Sequence, residues 1–239
     1  MMSVSAPSQL NFEFGRGDGY AFAHFEPGAN GLALRHLMDL LDKGHGQALV
    51  TGVEGTGKTH LLSAACAHQH QRGKSVVYIP LAELRTVSPS VLRDLGEHDL
   101  VAVDDLQSVV GDSAWERALF DVWICCESLG GVFVASRHRG GVAEVRLPDL
   151  ASRLRASISI DLVPLDDDDL CRAMGRVAHR RGLELGTDVA QYLLRRVPRD
   201  MHSLVALVEA LDHASLAQSK RPSVPFVRDW LVEHSARSD

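Results

Sequence analysis

The sequence predicts an α/β fold, a parallel sheet with helices on both faces, followed by a small all-helical domain. Three observations carry this prediction. Between Gly46 and about Asp161, short β-branched apolar runs alternate with segments of helical spacing. The first run leads into Gly52-Val53-Glu54-Gly55-Thr56-Gly57-Lys58-Thr59, a glycine-rich turn that opens a helix. After Pro164 no convincing strand remains and the helical period takes over.

In chain order, residues 1–19 are rich in Ser, Gly and Pro and read as a tail. Within it, Gln9-Leu10-Asn11-Phe12-Glu13-Phe14 alternates apolar and polar residues, as an edge strand or a docking peptide does. Ala48–Thr51 is the first strand. Lys58 to about Arg72 carries Leu61, Leu62, Ala65 and Cys66 at helical spacing, and Gly73 ends the helix. Ser75–Leu81 and Leu100–Val103 are continuously apolar, as strands covered on both faces must be. Trp115, Leu119, Val122, Trp123 and Cys126 form a helix stripe, and Val132–Ala135 is another buried strand. Beyond Pro164, Leu170, Ala173, Met174 and Val177 mark a helix from Asp166 that Gly182 stops. Thr187–Arg196, Asp200–Ala217 and a segment around Pro225–Val232 follow. The expected divisions are residues 1–19, 20–163 and 164–239.

A chain of 239 residues suits one large domain or one with a small companion. Hydrophobic residues at 45% supply enough apolar surface for a sizeable core. No apolar run reaches the ~18 residues of a membrane helix, and the start lacks a basic end followed by an apolar block, so a cytoplasmic location is expected. The 25 basic against 31 acidic side chains give a net charge of −6, which argues against a grip on DNA phosphates as the main activity. Cys66, Cys125, Cys126 and Cys171 form no C-x-x-C pair and read as small apolar residues in a reducing compartment.

The chemistry centres on the glycine-rich turn, a full match to G-x-x-x-x-G-K-[ST]. Gly52, Gly55 and Gly57 let the backbone turn tightly and aim N–H groups at phosphate oxygens. Lys58 would place a point charge on the β- and γ-phosphates, and Thr59 would offer its hydroxyl to Mg²⁺. An acid at the end of a buried strand should complete the site. Asp104 and Asp105 stand there, Asp104 to hold Mg²⁺ through water and Asp105 to orient an attacking water; the competing reading has both capping the next turn. Asp166–Asp169 opens a helix, where carboxylates suit the dipole, and is read as a cap rather than a metal site.

The P-loop, the Leu100–Val109 stretch LVAVDDLQSV, Tyr78–Leu81 (YIPL), Leu150-Ala151-Ser152-Arg153-Leu154 and the helical C-terminal part together resemble AAA+ ATPases of the DnaA/Hda family. The stretch after Pro222 is too short and too weakly basic for a DNA-binding domain, which favours the Hda branch. The resemblance implies bound ADP or ATP with Mg²⁺. It makes Arg153 an arginine finger that reaches a nucleotide on a neighbouring subunit, against the alternative of a surface arginine beside Arg155. It makes Arg199 a sensor of the chain's own nucleotide, with a solvated helix-end arginine as competitor, since Arg195 and Arg196 lie close by. Ser136, or a neighbour, falls near the γ-phosphate sensor. There Ala135-Ser136-Arg137-His138 departs from the initiator's polar run, so weak hydrolysis by this chain alone is expected. The tail peptide resembles segments that dock on the DNA polymerase sliding clamp, with Gln9 at the pocket rim and Leu10, Phe12 and Phe14 buried. The implied partners are the clamp and DnaA, with DNA met only through the clamp; homo-oligomers are compatible, and no membrane is involved. The implied function is regulation of replication initiation by stimulating hydrolysis of DnaA-bound ATP; the alternative is a self-sufficient ATPase motor or helicase loader. Phe25 and Asn30 are the candidates for a base pocket, without a sharp motif.

Overall fold

A computed structural model of the chain describes residues 20–139 and 145–235. Five strands, β1 (Gly46–Gly52), β2 (Val76–Pro80), β3 (Leu100–Asp104), β4 (Val132–His138) and β5 (Ile158–Asp161), form one sheet in the order β2-β3-β4-β1-β5. Every pairing is parallel. The helices of this part are α1 (Gly31–Lys43), α2 (Lys58–Gln71), α3 (Leu81–Leu84), α4 (Ser113–Ser128) and α5 (Pro148–Ala156).

The apolar runs alternate faces as a period-2 backbone requires. Val132 and Val134 of β4 face a core shared with Leu37 and Leu41 of α1 and Leu61, Leu62 and Cys66 of α2. Phe133 and Ala135, one residue out of step, face a second core with Trp115, Leu119, Val122 and Trp123 of α4 and Leu150 and Leu154 of α5. A sheet covered on both sides explains why its central strands show no polar alternation.

Four helices make up the C-terminal part among the described residues: α6 (Asp167–Arg180), α7 (Thr187–Leu194), α8 (Met201–Gln218) and α9 (Val224–Ser235). They enclose a third core built on Leu170, Met174, Leu193, Leu204, Val208, Leu211 and Trp230. Asp166 and Asp200 cap α6 and α8, each accepting a backbone N–H three residues on, from Asp169 and Ser203, at 2.8 Å.

The α/β class with a helical lid is therefore the architecture. Helices α1, α3 and α5 and strand β5 go beyond the sequence reading. Helix α1 covers one sheet face, and β5 extends the sheet beyond β1. β5 is short and only Ile160 of its residues is buried, so it carries little apolar signal. All four cysteines are free thiols. No helix among the described residues is long and apolar enough to cross a membrane.

Candidate nucleotide site

β1 ends in the glycine-rich loop, and α2 starts directly from it at Lys58. Gly55 and Gly57 have φ of +78° and +91°, conformations that side chains rarely adopt. A Cβ on Gly57 would sit 2.8 Å from the Phe25 ring, so the loop needs hydrogen there for packing as well. Lys58 is buried, and its Nζ donates to the carbonyl oxygens of Gly52 at 3.1 Å and Val53 at 2.9 Å. Burial lowers its pKa, while Asp105, Asp104 and Glu54 act in the opposite direction. Thr59 lies exposed in the first turn of α2, where the helix N-terminus favours an anion.

Because β4 lies between β1 and β3, the carboxyl end of β4 stands between the loop and the acidic pair. Asp104 closes β3 and is buried. Its Oδ2 accepts the Tyr78 hydroxyl at 2.6 Å; its Oδ1 accepts the Asp105 N–H at 3.1 Å and the Ser136 hydroxyl. Ser136 is fully buried, and its Oγ also accepts the Asp105 N–H at 3.1 Å. Both groups serve to orient Asp104. Asp105 adopts left-handed backbone at φ +57°, half-buried, with Oδ1 accepting from Gln107 Nε2 at 2.8 Å. Gln107 in turn accepts the His138 N–H at 2.8 Å, tying the acidic turn to the end of β4. Tyr78 and Gln107 escaped the sequence reading as site residues. Tyr78 belongs to the quoted YIPL run, yet only the β2–β3 pairing, which sets Pro80 beside Asp104, shows what it touches.

The lid closes the other side. A cleft of about 310 Å³ is lined by Glu54, Gly55, Leu165, Leu170, Arg199 and Asp200. Arg199 pairs with Asp167 at 2.9 Å, both side chains more than half exposed. Asn30 is buried and serves the backbone: its Nδ2 donates to Val163 O at 2.9 Å and its Oδ1 accepts the Val163 N–H at 2.8 Å. That pairing fastens the segment before α1 to the approach to the lid. Glu26, almost wholly buried, is flanked by Arg176 at 3.1 Å and Arg172 at 3.5 Å, both from α6.

Arg153 is not part of this cluster. It projects from α5 toward α4, with Nη1 2.5 Å from Glu127 Oε2 and its guanidinium carbon 5.6 Å from the centre of the Phe120 ring. Gln9, Leu10, Phe12 and Phe14 lie outside the described residues.

The residues present fit a nucleotide and its metal. Two glycines leave a cradle free of Cβ atoms, a buried lysine holds one edge, and a carboxylate restrained by three donors stands where water-mediated contact with Mg²⁺ can form. A P-loop, an acid-ended central strand and a helical lid together define an AAA+ nucleotide-binding module.

Residues 166–231 match the family described as Hda, lid domain. The fold is similar to domain III of the Thermotoga maritima replication initiation protein DnaA, with TM-score 0.74 and 19% identity, covering 89% of this chain and 97% of that one. AMPPCP-bound DnaA from Aquifex aeolicus matches with TM-score 0.66 and 23% identity, over 81% of this chain and 65% of that one. The Thermotoga maritima RuvB branch-migration motor matches at 0.61 and 15% identity, over 84% and 65%. The lid segment thus matches the Hda lid-domain family, and the chain shares the fold of domain III of DnaA.

Proposed function

We propose that this chain is an Hda-like regulator of replication initiation that stimulates hydrolysis of ATP held by DnaA. The carrying observation is the placement of Arg153. A side chain one-third exposed, held on the α4–α5 side of the sheet, is suited to meet a nucleotide on another subunit rather than the chain's own. The Hda lid supports the same reading.

In this proposal Gly55, Gly57 and Lys58 hold the phosphates of the chain's own ADP or ATP, and Thr59 and Asp104 hold Mg²⁺, which neutralises phosphate charge. Arg199 reaches the nucleotide from the lid. Asp105 is the water-orienting residue for the chain's own hydrolysis. That hydrolysis is weak in this reading, since Ala135-Ser136-Arg137-His138 departs from the initiator's polar run and the Ser136 hydroxyl is engaged by Asp104. The bound nucleotide fixes the lid against the body. Residues Gln9, Leu10, Phe12 and Phe14 dock on the sliding clamp and raise the local concentration of this chain near DnaA on DNA. Arg153 then offsets charge developing on the γ-phosphate of DnaA's ATP as water attacks phosphorus and the bond to the β-phosphate oxygen breaks.

The test is turnover of ATP-loaded DnaA mixed with clamp, DNA and this protein. Arg153→Ala should abolish the stimulation, by 10³-fold or so if the finger acts as fingers do elsewhere, while leaving ADP binding intact. Removal of residues 1–14 should abolish the dependence on clamp. Undiminished stimulation by Arg153→Ala would sink the reading.

A further inference from the structure

We infer that Glu127 is a positioning residue for Arg153: it fixes the direction of the guanidinium before the neighbouring nucleotide arrives. This rests on the proposed trans role of Arg153.

Helix α4 presents Glu116, Phe120 and Glu127 at spacings of four and seven residues, one side of the helix. All three engage the segment that carries Arg153. Glu116, fully buried, accepts the backbone N–H groups of Arg146 at 3.1 Å and Leu147 at 2.7 Å, at the entry to α5. Phe120 lies under the Arg153 guanidinium, and Glu127 takes one of its terminal nitrogens at 2.5 Å. The backbone of α5 is thus held at its start and the working side chain of α5 near its end.

An ion pair with side-chain exposures of 34% and 41% adds little to stability. Its effect is on direction. An unrestrained arginine spreads over many rotamers, and a planar fork already aimed loses less freedom when it meets a phosphate. Glu127 occupies Nη1 and the ring lies beneath one face of the guanidinium. The remaining donors, on Nε and Nη2, can then form a forked pair with phosphate oxygens. Because the pair is exposed, an approaching phosphate can share the guanidinium without first extracting a buried charge.

The experiment measures hydrolysis of DnaA-bound ATP against the concentration of this full-length protein, with clamp and DNA present. Glu127→Ala should lower the maximal rate roughly five- to tenfold, as a misdirected catalytic group does, leaving the half-saturating concentration and the melting temperature unchanged. Glu127→Gln keeps an oxygen acceptor and should recover most of the rate. An unchanged or increased maximal rate for Glu127→Ala overturns the inference. So does an effect confined to half-saturation. Arg153→Ala separates the two claims: if it abolishes stimulation while Glu127→Ala matches wild type, only the positioning role falls; if Arg153→Ala stimulates fully, the trans reading itself falls.

Discussion

At the level of single residues, the phosphate loop depends on an atom that is absent. Gly57 combines φ of +91° with a Phe25 ring that leaves no room for a Cβ. Gly57→Ala should therefore lower stability by about 1–2 kcal/mol from the backbone alone and weaken ADP binding, measured by calorimetry and thermal unfolding. The loop, Lys58, Thr59 and the Asp104–Asp105 pair were legible in the sequence because a phosphate cradle needs particular residues at fixed spacing. The partners of Asp104 were not, since Tyr78 and Ser136 lie 26 and 32 residues away along the chain. Asn30, a candidate for the base pocket, has its amide engaged by the Val163 backbone, a contact across 133 residues that no local pattern announces.

Individual elements are held by buried or bridging carboxylates at their ends. Glu116 satisfies three backbone donors, those of Gly111, Arg146 and Leu147. Glu116→Ala strands them and should cost about 3 kcal/mol in chemical denaturation. It should also reduce trans stimulation, since α5 loses its anchor. Asp99 joins the starts of β2 and β3. Its Oδ2 accepts the Ser75 hydroxyl and N–H, each at 2.8 Å, while Lys74 approaches Oδ1 at 3.3 Å. The Ser75 hydroxyl and N–H chiefly hold the Asp99 carboxyl below the usual carboxylate range, with Lys74 adding to them. A depressed carboxyl stabilises the fold above the unfolded pKa of about 3.9, and that contribution is lost as pH falls through the folded value. Asp99→Asn should thus lower the melting temperature at pH 7, and the difference from wild type should shrink below about pH 4.

For the molecule as a whole, the cleft beside the glycine-rich loop lies between body and lid, so on the proposed reading nucleotide binding and stability are linked. ADP at a hundred times its dissociation constant should raise unfolding free energy by about 2.7 kcal/mol. The corresponding rise in melting temperature should vanish in Lys58→Ala. A body-only nucleotide site would give the same shift in a chain cut before Asp166, whereas a site shared with Arg199 of the lid should not.

The sequence by itself determined the α/β class, the phosphate loop, the acid-ended strand and the helical lid, because apolar periodicity and loop glycines are local constraints on the backbone. Helix α1 and β5 were not read from it, β5 because an exposed edge strand buries too little to show. Only the tertiary structure decided that Ser136 serves Asp104, that Asn30 fastens the approach to the lid, and that Glu127 accompanies Arg153. Those pairings arise when distant segments are brought together by parallel strand register and by helices stacked across a sheet, which no spacing along the chain encodes.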